Sequence, residues 1–115
     1  MAITDRDVMT DYAITLAAGE SKIIKISAKI ATTLVEVKFP DGTGKGKVYA
    51  SLESNARVNA VLDGAVDDLD WTLWDLGEVT EVSVDTSDIA YAPNALKFVN
   101  TGATNVKFNY RGNFA

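Results

Sequence analysis

The sequence predicts an all-β protein, an antiparallel β-sandwich of about eight short strands with an N-terminal arm. Runs of alternating apolar and polar residues are separated by turn residues roughly every 8–12 positions, a spacing typical of sandwiches and barrels. No segment keeps a 3.6-residue apolar period over three turns. At 115 residues the chain is long enough for one core. We therefore expect one sandwich domain at residues 12–115, and jelly-roll topology is one arrangement within that class.

Residues 1–11 form the predicted arm. They are mostly polar and acidic, and their large apolar side chains are Ile3, Val8 and Met9. Terminal segments of this kind become ordered when they dock on another surface. These three side chains are therefore candidate interface residues.

Period-two alternation gives the order of the strands after the arm. Turn residues separate the strands, for example at residues 17–20 and at Pro40-Asp41-Gly42. The predicted strands are Tyr12–Leu16, Ser21–Ile30, Leu34–Phe39, Val48–Leu52, Arg57–Leu62, Trp71–Leu76 and Val79–Val84, followed by a closing pair.

The closing pair has the most regular pattern in the chain. Leu96 and Phe98 precede a glycine-containing turn at residues 101–104, and Phe108 and Tyr110 follow it. Alternation on both sides of such a turn predicts a β-hairpin with one buried face. These four large side chains are therefore predicted core residues.

Composition argues against several classes of function. The chain has no cysteine and no histidine, so it lacks a disulfide framework, a thiolate nucleophile and the usual general base. The formal net charge of −5 disfavours a nucleic-acid partner, because phosphate backbones bind basic surfaces. No apolar run approaches the roughly 20 residues that span a bilayer, and the N-terminus lacks the apolar region of a signal peptide. We expect no membrane partner, no small-molecule substrate and no cofactor.

The loop at residues 41–47 is rich in glycine and lysine, which suits anions. Its spacing differs from that of a phosphate-binding P-loop, and no helix pattern follows it. We interpret it as a flexible hairpin tip that exposes Lys45 and Lys47 as candidate contact residues.

A second loop, Asp63–Asp70, is acidic. Asp67, Asp68 and Asp70 are ligands of the type that calcium prefers, but EF-hand spacing is absent. A pair of carboxylates could also serve a glycosidase, yet nothing in the sequence selects a pair. We interpret the segment as a solvated loop whose three aspartates are candidate contact residues.

Trp71 and Trp74 stand three positions apart, so in a strand they face opposite ways. One of them should lie in the core, and Trp74 is the candidate for exposure. Trp74 could be covered by the arm or a long loop. If it is exposed, it could anchor a protein contact or stack on a sugar ring. No Ser-x-x-Lys or Gly-x-Ser-x-Gly motif accompanies it, so we predict that the chain is not an enzyme.

Three features of the sequence carry a resemblance. An opening strand runs into Leu16-Ala-Ala-Gly-Glu20 and a Lys/Ile-rich strand, an Asp63-Gly64 loop leads into Trp71, and residues 95–108 form the predicted final hairpin. In these features the chain resembles small all-β virion proteins of tailed bacteriophages, in particular capsid decoration (cement) proteins. The resemblance implies a protein on the capsid surface, assembled in the bacterial cytoplasm, that binds the major capsid protein at symmetry axes. It also implies a homo-oligomer, with a trimer favoured, and carries over no site residues.

Two hypotheses of function follow. The first is a non-catalytic decoration protein that stabilises a phage shell. The second is a carbohydrate- or receptor-binding module of a tail fibre or an enzyme, which rests on an exposed Trp beside acidic residues.

Overall fold

The computed structural model describes residues 11–26, 30–62, 69–73, 77–81, 83–86 and 93–114. In these ranges the chain forms eight strands and one helix. In chain order they are β1 (Asp11–Leu16), β2 (Ser21–Lys25), β3 (Ile30–Lys38), β4 (Gly46–Ser51), α1 (Asn55–Leu62), β5 (Thr72–Leu73), β6 (Ser83–Thr86), β7 (Ala95–Asn100) and β8 (Val106–Phe114).

The strands form two four-stranded sheets, and every neighbouring pair is antiparallel. Sheet 1 has the order β1-β8-β3-β6, and sheet 2 has the order β2-β7-β4-β5. Among the described elements, each strand is followed by a strand of the other sheet, except that β5 follows β4 in sheet 2. This order is that of a jelly roll. The predicted sandwich and its jelly-roll topology are both confirmed.

The core lies between the two sheets and is built from alternate residues of β1, β2, β3, β4, β7 and β8. Phe98 of sheet 2 stacks on Phe108 of sheet 1 with ring centroids 5.0 Å apart, so this pair joins the two layers. The predicted core residues of β7 and β8 are confirmed. The cluster consists of Leu16, Ile24, Ile26, Ile30, Val35, Val37, Phe39, Val48, Ala50, Val79, Leu96, Phe98, Val106, Phe108 and Tyr110.

The predicted closing hairpin is wrong, because β7 and β8 belong to different sheets. β7 pairs with β2 and β4, whereas β8 pairs with β1 and β3. The turn at residues 101–104 therefore crosses from one sheet to the other. Alternation shows that each strand has one buried face, and two strands on opposite sides of one core share that property. The predicted hairpin tip at residues 41–47 is likewise a crossing, from β3 to β4.

The predicted strand at Arg57–Leu62 is also wrong, because this segment lies in α1. Val58, Val61 and Leu62 recur at helical spacing and are buried against Leu69 and Ala95. The same segment also alternates at Val58, Ala60 and Leu62 and is rich in β-branched valine, so both periods were present. The helix is favoured because it places Val58, Val61 and Leu62 on one face, which packs on the outside of sheet 2.

Other predicted boundaries were approximate. Ile30, predicted at the end of one long strand from Ser21, belongs to β3, since β2 ends at Lys25. The turns at residues 17–20 and 39–42 are confirmed by hydrogen bonds from Glu20 N to Ala17 O and from Gly42 N to Phe39 O. No helix in the described part of the chain is long and apolar enough to cross a membrane.

Candidate functional site

Four connections meet at one end of the sandwich and form a surface that we call the loop platform: residues 17–20, 43–45, 77–79 and 101–104. Backbone hydrogen bonds join them to one another. Asn100 N donates to Glu20 O at 3.0 Å and Thr101 N donates to Lys45 O at 3.1 Å. Gly46 N donates to Val79 O at 3.0 Å, and Val79 N donates in return to Gly46 O at 2.7 Å.

The Asn100 side chain lies at the centre of this arrangement. Its Nδ2 donates to Leu16 O at 3.0 Å and to Thr104 O at 2.7 Å, and its Oδ1 accepts from Gly102 N at 2.9 Å. The residue is 1% exposed, so these bonds are shielded from water. Asn100 thus holds the end of β1 and the crossing between β7 and β8 in one geometry.

Close packing shapes the outer surface of the platform. A Cβ atom on Gly44 would lie 2.5 Å from a ring carbon of Phe39 and 3.2 Å from Thr104 Oγ1, so this position requires glycine. Thr104 Oγ1 also donates to Thr43 O at 2.6 Å. A shallow depression of about 530 Å³ lies between residues 43–45 and 101–104, and Lys45 is exposed beside it. The platform therefore presents one cation, Lys45, together with two carboxylates: Glu20 accepts from Ala17 N at 2.7 Å, and Glu78 accepts from Thr101 Oγ1 at 3.0 Å.

A second surface lies on the outside of sheet 2. The register places Ile23, Lys97, Tyr49 and Leu73 in one row across β2, β7, β4 and β5. Lys97 Nζ lies 5.1 Å from the ring centroid of Tyr49 and 4.9 Å from that of Trp71. These are cation–π distances. Leu73 is 39% exposed.

We call this surface the aromatic–lysine face; it comprises Ile23, Lys47, Tyr49, Trp71, Leu73, Lys97 and Val99. Lys47 and Val99 form the adjoining row. The next row in the other direction, which contains Lys25, Ala95 and Ser51, is buried, and Ala95 packs in the cluster of α1. The described outward positions of sheet 2 include three lysines and neither Asp nor Glu.

A groove of about 360 Å³ lies on sheet 1, among Asp11, Ala13, Glu36, Asn109 and Arg111. Its charges are of both signs. Asn109 Nδ2 donates to Glu36 Oε1 at 3.0 Å, and Lys38 Nζ lies 3.6 Å from the same oxygen. The Glu36 carboxylate already has these two partners, and the groove carries charges of both signs. The groove therefore does not indicate a class of ligand.

The predicted site residues within the described ranges, Lys45, Lys47 and Asp70, do not lie together. Lys45 lies on the loop platform and Lys47 on the aromatic–lysine face, although they are two positions apart. Asp70 is exposed near α1, and its backbone N donates to the carboxylate of Glu53. The other candidates lie outside the described residues: Ile3, Val8, Met9, Asp67, Asp68 and Trp74.

Tyr49 and Lys97 are the site residues that sequence reasoning missed. Each lies in or beside a predicted strand, but the row that joins them depends on β4 pairing with β7. Alternation does not reveal a strand's partner. Within the described ranges, no three Asp or Glu side chains lie close enough together to hold a metal ion. Asp67 and Asp68, which carry the ligand type that calcium prefers, lie outside those ranges.

No protein-family model matches the chain, and no curated protein does. Among solved structures, it is similar to a de novo designed double-stranded β-helix, at 15% identity over 90% of this chain and 97% of that one, with a TM-score of 0.46. It is also similar to the cupin domain of Schizosaccharomyces pombe Cnp3, at 13% identity over 92% of this chain and 54% of that one, again with a TM-score of 0.46. A third similar structure is PirA, at 9% identity over 90% of this chain and 94% of that one, with a TM-score of 0.46. At these scores the likenesses carry no argument, and the jelly-roll assignment rests on the strand order itself.

Proposed function

We propose that the chain is a non-catalytic structural protein of a tailed-phage virion that binds the major capsid protein and stabilises the shell. The observation that carries the proposal is the loop platform, in which four connections are held together by hydrogen bonds and Lys45 is exposed. Jelly rolls occur in viral capsid proteins and in lectins. The fold alone does not decide between such functions, so features of the surface have to distinguish them.

A hydrogen-bonded platform suits a protein that binds another protein. Ordering a side chain at an interface costs about 0.5–1.5 kcal/mol, and a surface that is already ordered avoids part of that loss. The Asn100 contacts and the Thr104–Thr43 bond fix the platform before any partner arrives. Copies attached at many equivalent sites would act together on one shell. The proposal includes a homo-oligomer, with a trimer favoured, at a symmetry axis of the capsid surface, and assembly in the bacterial cytoplasm.

Lys45 is the cation of the platform and lies beside the carboxylates of Glu20 and Glu78. We expect Lys45→Glu to weaken binding to emptied phage shells at least about tenfold, because like-charge contact at an interface costs several kcal/mol. Co-sedimentation with shells from which the protein has been removed measures this binding. The matched control is Lys107→Glu, which makes the same charge change at an exposed position on sheet 1. Equal shell binding by Lys45→Glu and Lys107→Glu would contradict a role for the platform, and no binding by the unaltered chain would contradict the function.

The alternative, a carbohydrate- or receptor-binding module, has less support from the described aromatic side chains. The ring of Trp71 has the Lys97 ammonium 4.9 Å from its centroid, and Trp71 also packs against the cluster that includes α1. A sugar that stacked on this ring would have to displace the lysine. Saturable binding on a glycan array that Trp74→Ala abolishes would favour the module instead.

A further inference from the structure

The aromatic–lysine face has the composition of a protein contact. Aromatic side chains supply most of the binding energy at many interfaces. Here Tyr49 and Trp71 flank Lys97, and Leu73 adds exposed apolar surface. With Lys47 in the adjoining row and no carboxylate at the described outward positions of sheet 2, the face suits a partner that presents acidic groups.

The chain itself contains such a partner surface, because its charges are unevenly distributed. The stretch from Val58 to Leu96 contains nine of the sixteen acidic residues and none of the eleven basic ones. The nine are Asp63, Asp67, Asp68, Asp70, Asp75, Glu78, Glu81, Asp85 and Asp88. All the basic residues, including those of the face, therefore lie before or after this stretch.

The topology places part of the acidic stretch at one edge of the sandwich. β5 and β6 are the outermost strands at the same side of sheets 2 and 1, opposite to β1 and β2. Glu78 and Glu81 lie in the connection between them and are exposed. Thr101 Oγ1 donates to Glu78 Oε2 at 3.0 Å, so Glu78 lies where this connection meets the loop platform. We call Glu78 and Glu81 the acidic edge. The aromatic–lysine face is a broad surface of sheet 2, so the two surfaces point in different directions.

We infer that the aromatic–lysine face binds the acidic edge of a second copy of this chain. Such a contact joins two different surfaces and is therefore heterologous, so it closes into a ring or continues as a filament. The apolar and aromatic side chains supply contact area, and the lysines select carboxylates. The inference specifies surfaces for the self-association that the proposed function includes, and it can be tested without a shell.

Charge reversal on each surface provides the test. The face-reversed variant is Lys47→Glu with Lys97→Glu, and the edge-reversed variant is Glu78→Lys with Glu81→Lys. We expect the unaltered chain to associate in low salt, as measured by sedimentation velocity over a concentration series. Each variant alone should associate at least about tenfold more weakly, because like charges then meet. Association of the unaltered chain should also weaken in about 1 M salt, where the Debye length falls to about 3 Å.

An equimolar mixture of the two variants is the decisive sample. Each variant then offers the other an oppositely charged surface, so association should return. Lys107→Glu is the matched control and should associate like the unaltered chain, and circular dichroism checks that every variant is folded. Any of three results would overturn the inference. Neither reversal weakens association, the mixture stays monomeric, or the unaltered chain is monomeric at every salt concentration. If the unaltered chain is monomeric and the face-reversed variant loses only shell binding, the shell occupies the face instead.

These results separate the two proposals. An unaltered chain that binds shells but stays monomeric at every salt concentration would overturn only the inferred copy-to-copy contact. Self-association without any shell binding would overturn only the proposed function.

Discussion

Two buried polar residues, Asn100 and Tyr110, differ in how their polar atoms are satisfied. Asn100 makes three hydrogen bonds and is 1% exposed. Tyr110 is 2% exposed, and its hydroxyl has no hydrogen-bond partner among the described residues. A satisfied buried group stabilises a unique geometry, whereas an unsatisfied one reduces stability by its lost hydration. The two residues should therefore respond in opposite ways to substitution.

Asn100→Asp should destabilise the protein by about 2–4 kcal/mol. The carboxylate has the same shape but no donor, so Leu16 O and Thr104 O lose their bonds and a charge is buried beside them. Urea unfolding measures the change. Asn105→Asp, an exposed position in the same connection, is the control and should stay within about 0.5 kcal/mol of the unaltered chain. Equal stabilities for the two variants would show that Asn100 does not organise the platform.

Tyr110→Phe should leave stability at neutral pH unchanged or raise it by up to about 1 kcal/mol, because it removes a hydroxyl without a partner. A loss greater than this in urea unfolding would show that the hydroxyl is bonded in the folded protein.

The same residue should govern stability in strong base. Burial raises the pKa of Tyr110 from 10.0 to about 12, so the folded protein holds the phenol proton more tightly than the unfolded chain does. Its contribution is fully present below pH 10 and is lost as the pH rises to about 12, a difference of about 2–3 kcal/mol. Unfolding experiments across this range should show a larger decline for the unaltered chain than for Tyr110→Phe. Equal declines in these two proteins would contradict this contribution from Tyr110.

Among the elements, α1 shows how a short sequence pattern can predict the wrong structure. Arg57 N donates to Ser54 Oγ at 3.3 Å, and Val58 N donates to Ser54 O at 3.0 Å, so Ser54 is the N-cap. The strand prediction rested on alternation alone, and the tertiary partner of this segment, the outside of sheet 2, cannot be inferred from the local sequence.

The cap can be tested directly. Ser54→Ala should destabilise the protein by about 1 kcal/mol, since it removes the acceptor for Arg57 N. Ser54→Asp keeps an acceptor at this position and should be close to the unaltered chain. Urea unfolding compares the two. Equal stabilities for the alanine and aspartate variants would mean that the hydroxyl contributes nothing to α1.

Strand existence was predictable because period-two alternation is local, and the core side chains of β7 and β8 follow from it. Strand pairing was not predictable from alternation, as the wrong closing hairpin shows. Whether Phe98 and Phe108 belong to one sheet or face each other across the core depends on contacts remote in sequence. Because alternation does not give the register between strands, it also did not predict the row that joins Tyr49 to Lys97. Lys45 was accessible to prediction, because glycine and lysine in a connection are a local signal.

At the scale of the whole molecule, the sandwich carries three surfaces, two of which meet at Glu78. The loop platform closes one end, the aromatic–lysine face covers part of sheet 2, and the acidic edge borders β5 and β6. The net charge of −5 conceals this division, because nine acidic residues fall in one stretch of the sequence without a basic residue. The net charge alone therefore does not show that many acidic residues are separated from the basic ones along the chain.

The pairing of β1 with β8 has a consequence for attachment. The register sets Asp11 opposite Arg111, and both strands have their other ends, Leu16 and Val106, at the loop platform. Asp11 and Arg111 therefore lie side by side at the end of the sandwich opposite the platform. A passenger domain joined directly to Asp11 would start at that opposite end, and a circular permutant that joins Phe114 to Asp11 would need only a short linker.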